Sequence, residues 1–79
     1  MAILIDCIGH MVSTENVDEL HDFAKEIGLK PEWFQTPGFG LRHSHYDLTT
    51  LRLREKARRM GALLVEPREL VKRAWWRNL

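Results

Sequence analysis

The 79-residue chain has a single cysteine, Cys7, so no internal disulfide can staple it, and that usage fits a reducing compartment. No apolar run approaches the roughly 18 residues needed to span a bilayer. The apolar start, Met1 to Ile5, has no basic residue ahead of it and is broken by Asp6, a poor match to a secretory signal. Internal repeats, low-complexity tracts and linkers are absent. One soluble, cytoplasmic domain spanning residues 1–79 is therefore expected, with no membrane partner.

Motifs of the common catalytic machineries are also missing. Gly38-Phe39-Gly40 has no strand leading into it and no helix directly after it, so it matches neither a P-loop nor a dinucleotide fingerprint. Ser13, Ser44 and the threonines lack the context of a nucleophile elbow. Cys7 lies in an apolar segment, where a small buried thiol is expected.

What is present reads as a small globular protein. Apolar residues make up 44% and charged residues 29%, which excludes disorder and collagen-like repeats. A chain of this length buries only roughly 60% of its unfolded surface, near the limit for an unaided core. The net charge of +1 conceals an asymmetry. Residues 1–49 hold three basic against eight acidic side chains, a net −5, and residues 50–79 hold nine against three, a net +6. The halves either attract each other within one fold, or the basic half faces an anionic partner.

Ala2 to Ile5 is a continuous apolar run with β-branched members, the pattern of a strand covered on both faces. Ile8 to Val12 is either a second short strand or irregular, with Gly9 permitting a bulge or turn. Asn16 followed by Glu19 marks a helix start, and Val17, Leu20, Phe23, Ala24 and Ile27 recur at helical spacing. Gly28 and Pro31 end that helix. Pro31 to Gln35 suits one helical turn, Thr36-Pro37-Gly38 is a turn, and Phe39 to Leu48 is loop or strand.

A second helix is expected from Thr49 or Thr50 to Gly61, with Leu53, Ala57 and Met60 inward and Leu51 to one side. Ala62 to Val65 reads as another apolar strand. Pro67 opens a last helix with Leu70, Val71 and Ala74 inward and Trp75 at the margin. Helices between buried apolar strands predict an α/β fold: a small two-layer domain with a short, mostly parallel sheet of two to three strands and three helices.

Four histidines, His10, His21, His43 and His45, stand out in so short a chain. If residues 42–47 are extended, the period of two puts His43, His45 and Asp47 on one face. A His-x-His pair with a carboxylate is a metal-ligand pattern, and His43, His45 and His10 are the candidate ligands for a divalent ion. The local alternative has Tyr46 packing inward, His45 bonded to backbone and Asp47 capping the next helix. Asp6 ends the first strand, where open α/β sheets bind ligands, and His10 follows within four residues. Asp6, His10, His45 and Asp47 are therefore the candidate catalytic residues. His21 sits at the helix edge.

A nucleic-acid reading rests on the basic second helix (Arg52, Arg54, Arg58, Arg59) and the tail (Arg73, Trp76, Arg77). Arginines neutralise phosphates and an exposed indole stacks on a base. Trp75 and Trp76 would equally seal a homodimer, which a small core can need.

Several segments taken together resemble the small bacterial and phage family known as domain of unknown function 4031. They are the strand ending in Ile5-Asp6, His10-Met11, Glu19-Leu20-His21 with Phe23-Ala24, Trp33-Phe34-Gln35, His45-Tyr46-Asp47-Leu48, and the basic helix closing on Gly61-Ala62. Cys7-Ile8-Gly9 replaces a longer insert, and the stretch from Thr36 to Ser44 is extended. The resemblance implies no activity. It adds His21, Trp33, Gln35 and Tyr46 as ligand-binding candidates, in a polar pocket or in a hydrogen-bonded structural network. The leading expectation is a His/Asp pocket for a metal ion or a phosphate-bearing ligand, with possible hydrolysis. The competitor is a non-catalytic nucleic-acid- or protein-binding module.

Overall fold

A computed structural model describes residues 2–35 and 44–75 of the chain. The apolar run at the start forms β1 (Ile3–Ile5), and β2 (His10–Ser13) returns beside it. The reversal is a tight turn: the Gly9 amide donates to the Asp6 carbonyl and the Asp6 amide to the His10 carbonyl. Gly9 there has φ +110°, a conformation costly for residues bearing a Cβ. Asn16 accepts the Glu19 amide and starts α1 (Val17–Glu26). Glu19 does not close a reciprocal capping box; its carboxylate accepts the Ser13 hydroxyl. Leu20 and Ala24 are buried, as the helical spacing requires, and Ile27 is buried just beyond the helix end.

A 3-10 turn at Pro31–Trp33 leads into β3 (Phe34–Gln35), and β4 is His45–Asp47. Thr50 accepts the Leu53 amide and caps α2 (Leu51–Arg59). Then come β5 (Leu63–Leu64), α3 (Pro67–Leu70) and one π-helical turn, Val71–Trp75.

The expected short, mostly parallel sheet is overturned. Among the described residues five strands form one mixed sheet in the order β3-β4-β2-β1-β5, and only β1 and β5 run parallel. The pairs β1–β2, β2–β4 and β3–β4 are antiparallel. A turn as short as Asp6–Gly9 can join only antiparallel neighbours, because a parallel connection needs a crossover of a dozen residues or more. α2 carries the chain from β4 past β2 and β1 to β5, which therefore pairs with β1 in parallel.

Two clusters cover the two sheet faces, as alternation along each strand demands. Ile3, Ile5, Met11 and Tyr46 point towards α1 and α2, packing with Leu20, Ala24 and Ala57. Leu4 and Val12 point the other way, against Leu70 and Ala74. Burying each large aliphatic side chain of these layers contributes about 1.5–3 kcal/mol. The segment from Ala62 to Val65 is narrower than a buried strand: Leu63 and Leu64 are half exposed at the sheet's end. Met60, expected inward, is 42% exposed because α2 closes one residue before it. Cys7, expected buried, is exposed because it lies in the β1–β2 turn rather than in a strand. No helix among the described residues is long and apolar enough to cross a membrane.

Candidate metal centre

Strand alternation puts several polar side chains on one side of the sheet. Tyr46, Met11 and Phe34 face α1, so their strand neighbours His45, Asp47, His10 and Gln35 face the opposite side. Pairing then sets them close: His10 is opposite Asp47, and Gln35 is opposite His45. Directly opposed residues have Cβ atoms roughly 4.5–5.5 Å apart, close enough for short polar side chains to meet.

The side chains complete the approach. His10, His45 and Asp47 each present a donor atom within 4.8 Å of the others. The His45 Nε2 lies 3.2 Å from the Asp47 carboxylate, and the His10 and His45 rings meet edge to face with centroids 5.1 Å apart. The Gln35 amide donates to the other Asp47 oxygen. A metal ion would draw such donors in to about 2.0–2.2 Å from itself, and Asp47, the most exposed of the three, has room to swing. Asp47 therefore serves the histidines, and Thr50 takes the capping role on α2.

Behind His10 stands Asp6. Its side chain is 1% exposed, and one oxygen accepts the amides of Ile8, Gly9 and His10. The other oxygen lies 2.9 Å from His10 Nδ1. Burial alone would push this carboxyl up, but the His10 ring, the His10 and Gly9 amides and the nearby His10 charge outweigh it and hold it below the usual value of 3.8. A carboxylate at that distance is placed to accept from Nδ1–H, the arrangement in which a histidine would ligate a metal through Nε2.

The other candidates divide. His21 is on the opposite side of the sheet: its Nδ1 lies 2.7 Å from the Tyr46 hydroxyl, and both rings pack with Phe34. Tyr46 is buried, and that burial raises its phenol above the ordinary 10.0. Trp33 and Gln35 line a cleft of about 490 Å³ with Glu32, Asp47 and Thr49, so this cleft reaches the His10, His45 and Asp47 cluster through Asp47. Glu32 and Thr49 were not suggested by any motif. His43, Trp76, Arg77 and the Trp75 side chain lie outside the described residues.

The basic residues of α2 are not equivalent. Arg52, Arg58 and Arg59 are exposed, as is Arg73 beyond α3, and Arg59 lies 3.8 Å from Glu55. Arg54 is turned inward. Its guanidinium donates to the carbonyls of Leu48, Cys7 and Ile8, tying the β1–β2 turn to the end of β4. It thus fixes the strand carrying His10 against the one carrying His45 and Asp47. Arg54→Leu should cost about 1–3 kcal/mol in urea unfolding, since three carbonyls lose a charged donor. Arg52→Leu on the exposed face should cost under about 0.5 kcal/mol. Equal losses would remove the clamp from the account.

Geometry of this kind, two imidazoles and a carboxylate held on a sheet with a second carboxylate behind one imidazole, is that of a candidate metal-binding α/β domain. The profile of the family described as a protein of unknown function (DUF4031) matches residues 4–76, and the chain belongs to that family. No curated protein matches the chain, and no solved structure does.

Proposed function

We propose that the domain binds one first-row divalent transition metal ion through His10, His45 and Asp47, and that this centre performs or supports hydrolytic chemistry. The observation that carries the proposal is the mutual approach of three donor groups from two paired strands to within 4.8 Å. Three protein donors leave coordination positions open, as catalytic rather than structural sites do. Two imidazoles and a carboxylate suit zinc or ferrous iron better than calcium or magnesium, which favour all-oxygen shells. Bound metal at such a site supplies a Lewis acid and acidifies a water. The cleft beside Asp47 gives a substrate an approach, and Gln35 is placed to orient the carboxylate.

Cobalt(II) added to metal-free protein tests this directly. One equivalent should saturate the protein, and the paramagnetic ion should shift the ring NMR signals of His10 and His45. The His21 signals should move far less, because that ring sits across the sheet with Tyr46. Binding only in large excess, or perturbation confined to exposed acidic residues of α1, would defeat the proposal.

A further inference from the structure

The far end of the sheet carries a second, unrelated feature. β5 is the terminal strand in the described sheet, yet its two side chains, Leu63 and Leu64, are 49% and 54% exposed. Natural edge strands are normally blunted with charge or proline, because an apolar edge invites pairing with another chain. Met60, at 42% exposure, extends the apolar strip.

The surroundings of that strip are charged in opposite senses at its two ends. Where β5 begins, Met60 and Leu63 border a recess of about 650 Å³ walled by Asp18, Asp22 and Glu26 of α1. Where β5 ends, Leu64 borders a recess lined by Arg54, Glu55 and Arg58 of α2, and a second recess lined by Glu55, Arg58 and Arg59 runs along both leucines. Arg59 lines one of them too but leans on Glu55, so Arg58 is the cation that offers the less compensated charge.

We infer that β5 is the contact of a homodimer in which two copies pair antiparallel, edge to edge, to make one continuous sheet. Such an isologous contact has its two-fold axis between the two strands, level with Leu63 or Leu64 so that a leucine faces its own copy on the same side of the sheet, and closed two-fold dimers are the commonest homo-oligomers. The reversal about that axis brings the acidic start of one β5 against the Arg58 end of the other, twice over. A parallel arrangement would set acid against acid. The two leucines leave water together, while the helices on either side supply area that a two-residue strand cannot. This dimer does not depend on the metal centre, which lies towards the opposite edge of the sheet.

Sedimentation of the full chain from about 1 µM to about 1 mM, across the range of a weak dimer constant, tests the inference. The apparent mass should climb from the 9.3 kDa of one chain towards twice that value, and less so at high salt. Leu64→Lys should weaken association at least about tenfold, with unchanged circular dichroism and cobalt binding. Asp22→Arg and Arg58→Glu, both on exposed helix faces, should each weaken self-association, while a mixture of the two variants should associate as well as the parent protein. A chain that stays monomeric to the highest concentration overturns the inference. So does a dimer indifferent to Leu64→Lys, or charge variants that mix no better than they self-associate.

Discussion

Replacing Asp6 by Asn should weaken cobalt or zinc binding by about 10–100-fold, the usual cost of losing the carboxylate behind a ligating histidine. The isosteric amide still has an oxygen for the turn amides of Ile8, Gly9 and His10, so the local backbone has reason to stay put. What changes is the group facing His10 Nδ1. A carboxylate only accepts and keeps the ring proton on that nitrogen; an amide NH2 can donate to it and move the proton to Nε2, where it blocks the metal. Unchanged affinity in Asp6→Asn would mean that His10 does not bind metal with Asp6 behind it.

The same substitution should alter stability with pH. The native carboxyl is held below its ordinary 3.8, so the stability it contributes is fully present above that value. It is lost as pH falls through the lowered native pKa, where the folded state must also take up the proton. Urea midpoints of the parent protein should therefore decline more steeply than those of Asp6→Asn between about pH 5 and pH 2. Near neutrality the variant should be the less stable by about 1–3 kcal/mol, because its bonds to the turn are no longer charge-assisted.

Gly9→Ala should be the most damaging single-atom addition in the domain. At φ +110° an alanine is strained wherever it stands, at about 1–2 kcal/mol. Here the new methyl would also lie 2.9 Å from the Leu48 carbonyl oxygen and 2.9 Å from an Arg54 guanidinium nitrogen. The arginine tip can yield, but the carbonyl is backbone, and Leu48 also donates its amide to Gly9 at 2.7 Å. Moving it pushes β4 away from β2 at the point where His10 faces Asp47. A total loss of about 3 kcal/mol is expected, which for a domain of this size lowers Tm by roughly 12–24 °C. Gly28→Ala is the control: φ is +90° but nothing lies within 4 Å, so only the strain is paid. Similar melting temperatures for the two variants would show that contact at the turn is unimportant.

The helices were legible from the sequence because their signals are local. Asn16 as cap, the Val17–Ile27 stripe and Gly28 sit within one short window, and the same holds for Thr50, Ala57 and Gly61. Strands of two to four residues offer too few positions for a period of two to speak. The topology is not legible for that reason: alternation of helices and apolar runs suggests parallel crossovers, while the Asp6–Gly9 turn makes β1 and β2 a hairpin. The identities of His10, His45 and Asp47 could be read, and so could the shared face of His45 and Asp47. That His10 stands opposite Asp47 is a matter of β2–β4 register, a non-local fact. Arg54 looked like any other cation on a basic helix. Its partners Cys7 and Ile8 lie far away along the chain, and nothing nearby in sequence announces them.

The lone parallel pair has a kinetic consequence. β1 finds β2 across a turn of a few residues, but its other neighbour begins at Leu63. A ribosome delivers Leu4 well before Leu63, so half of β1's ladder waits until the intervening chain has been made. Closing that long loop is the slow, entropically costly step, and shorter contacts can form ahead of it. A nascent chain stalled before residue 63 would hold its hairpin with one side of β1 bare, an adhesive seam that only translation of β5 can cover.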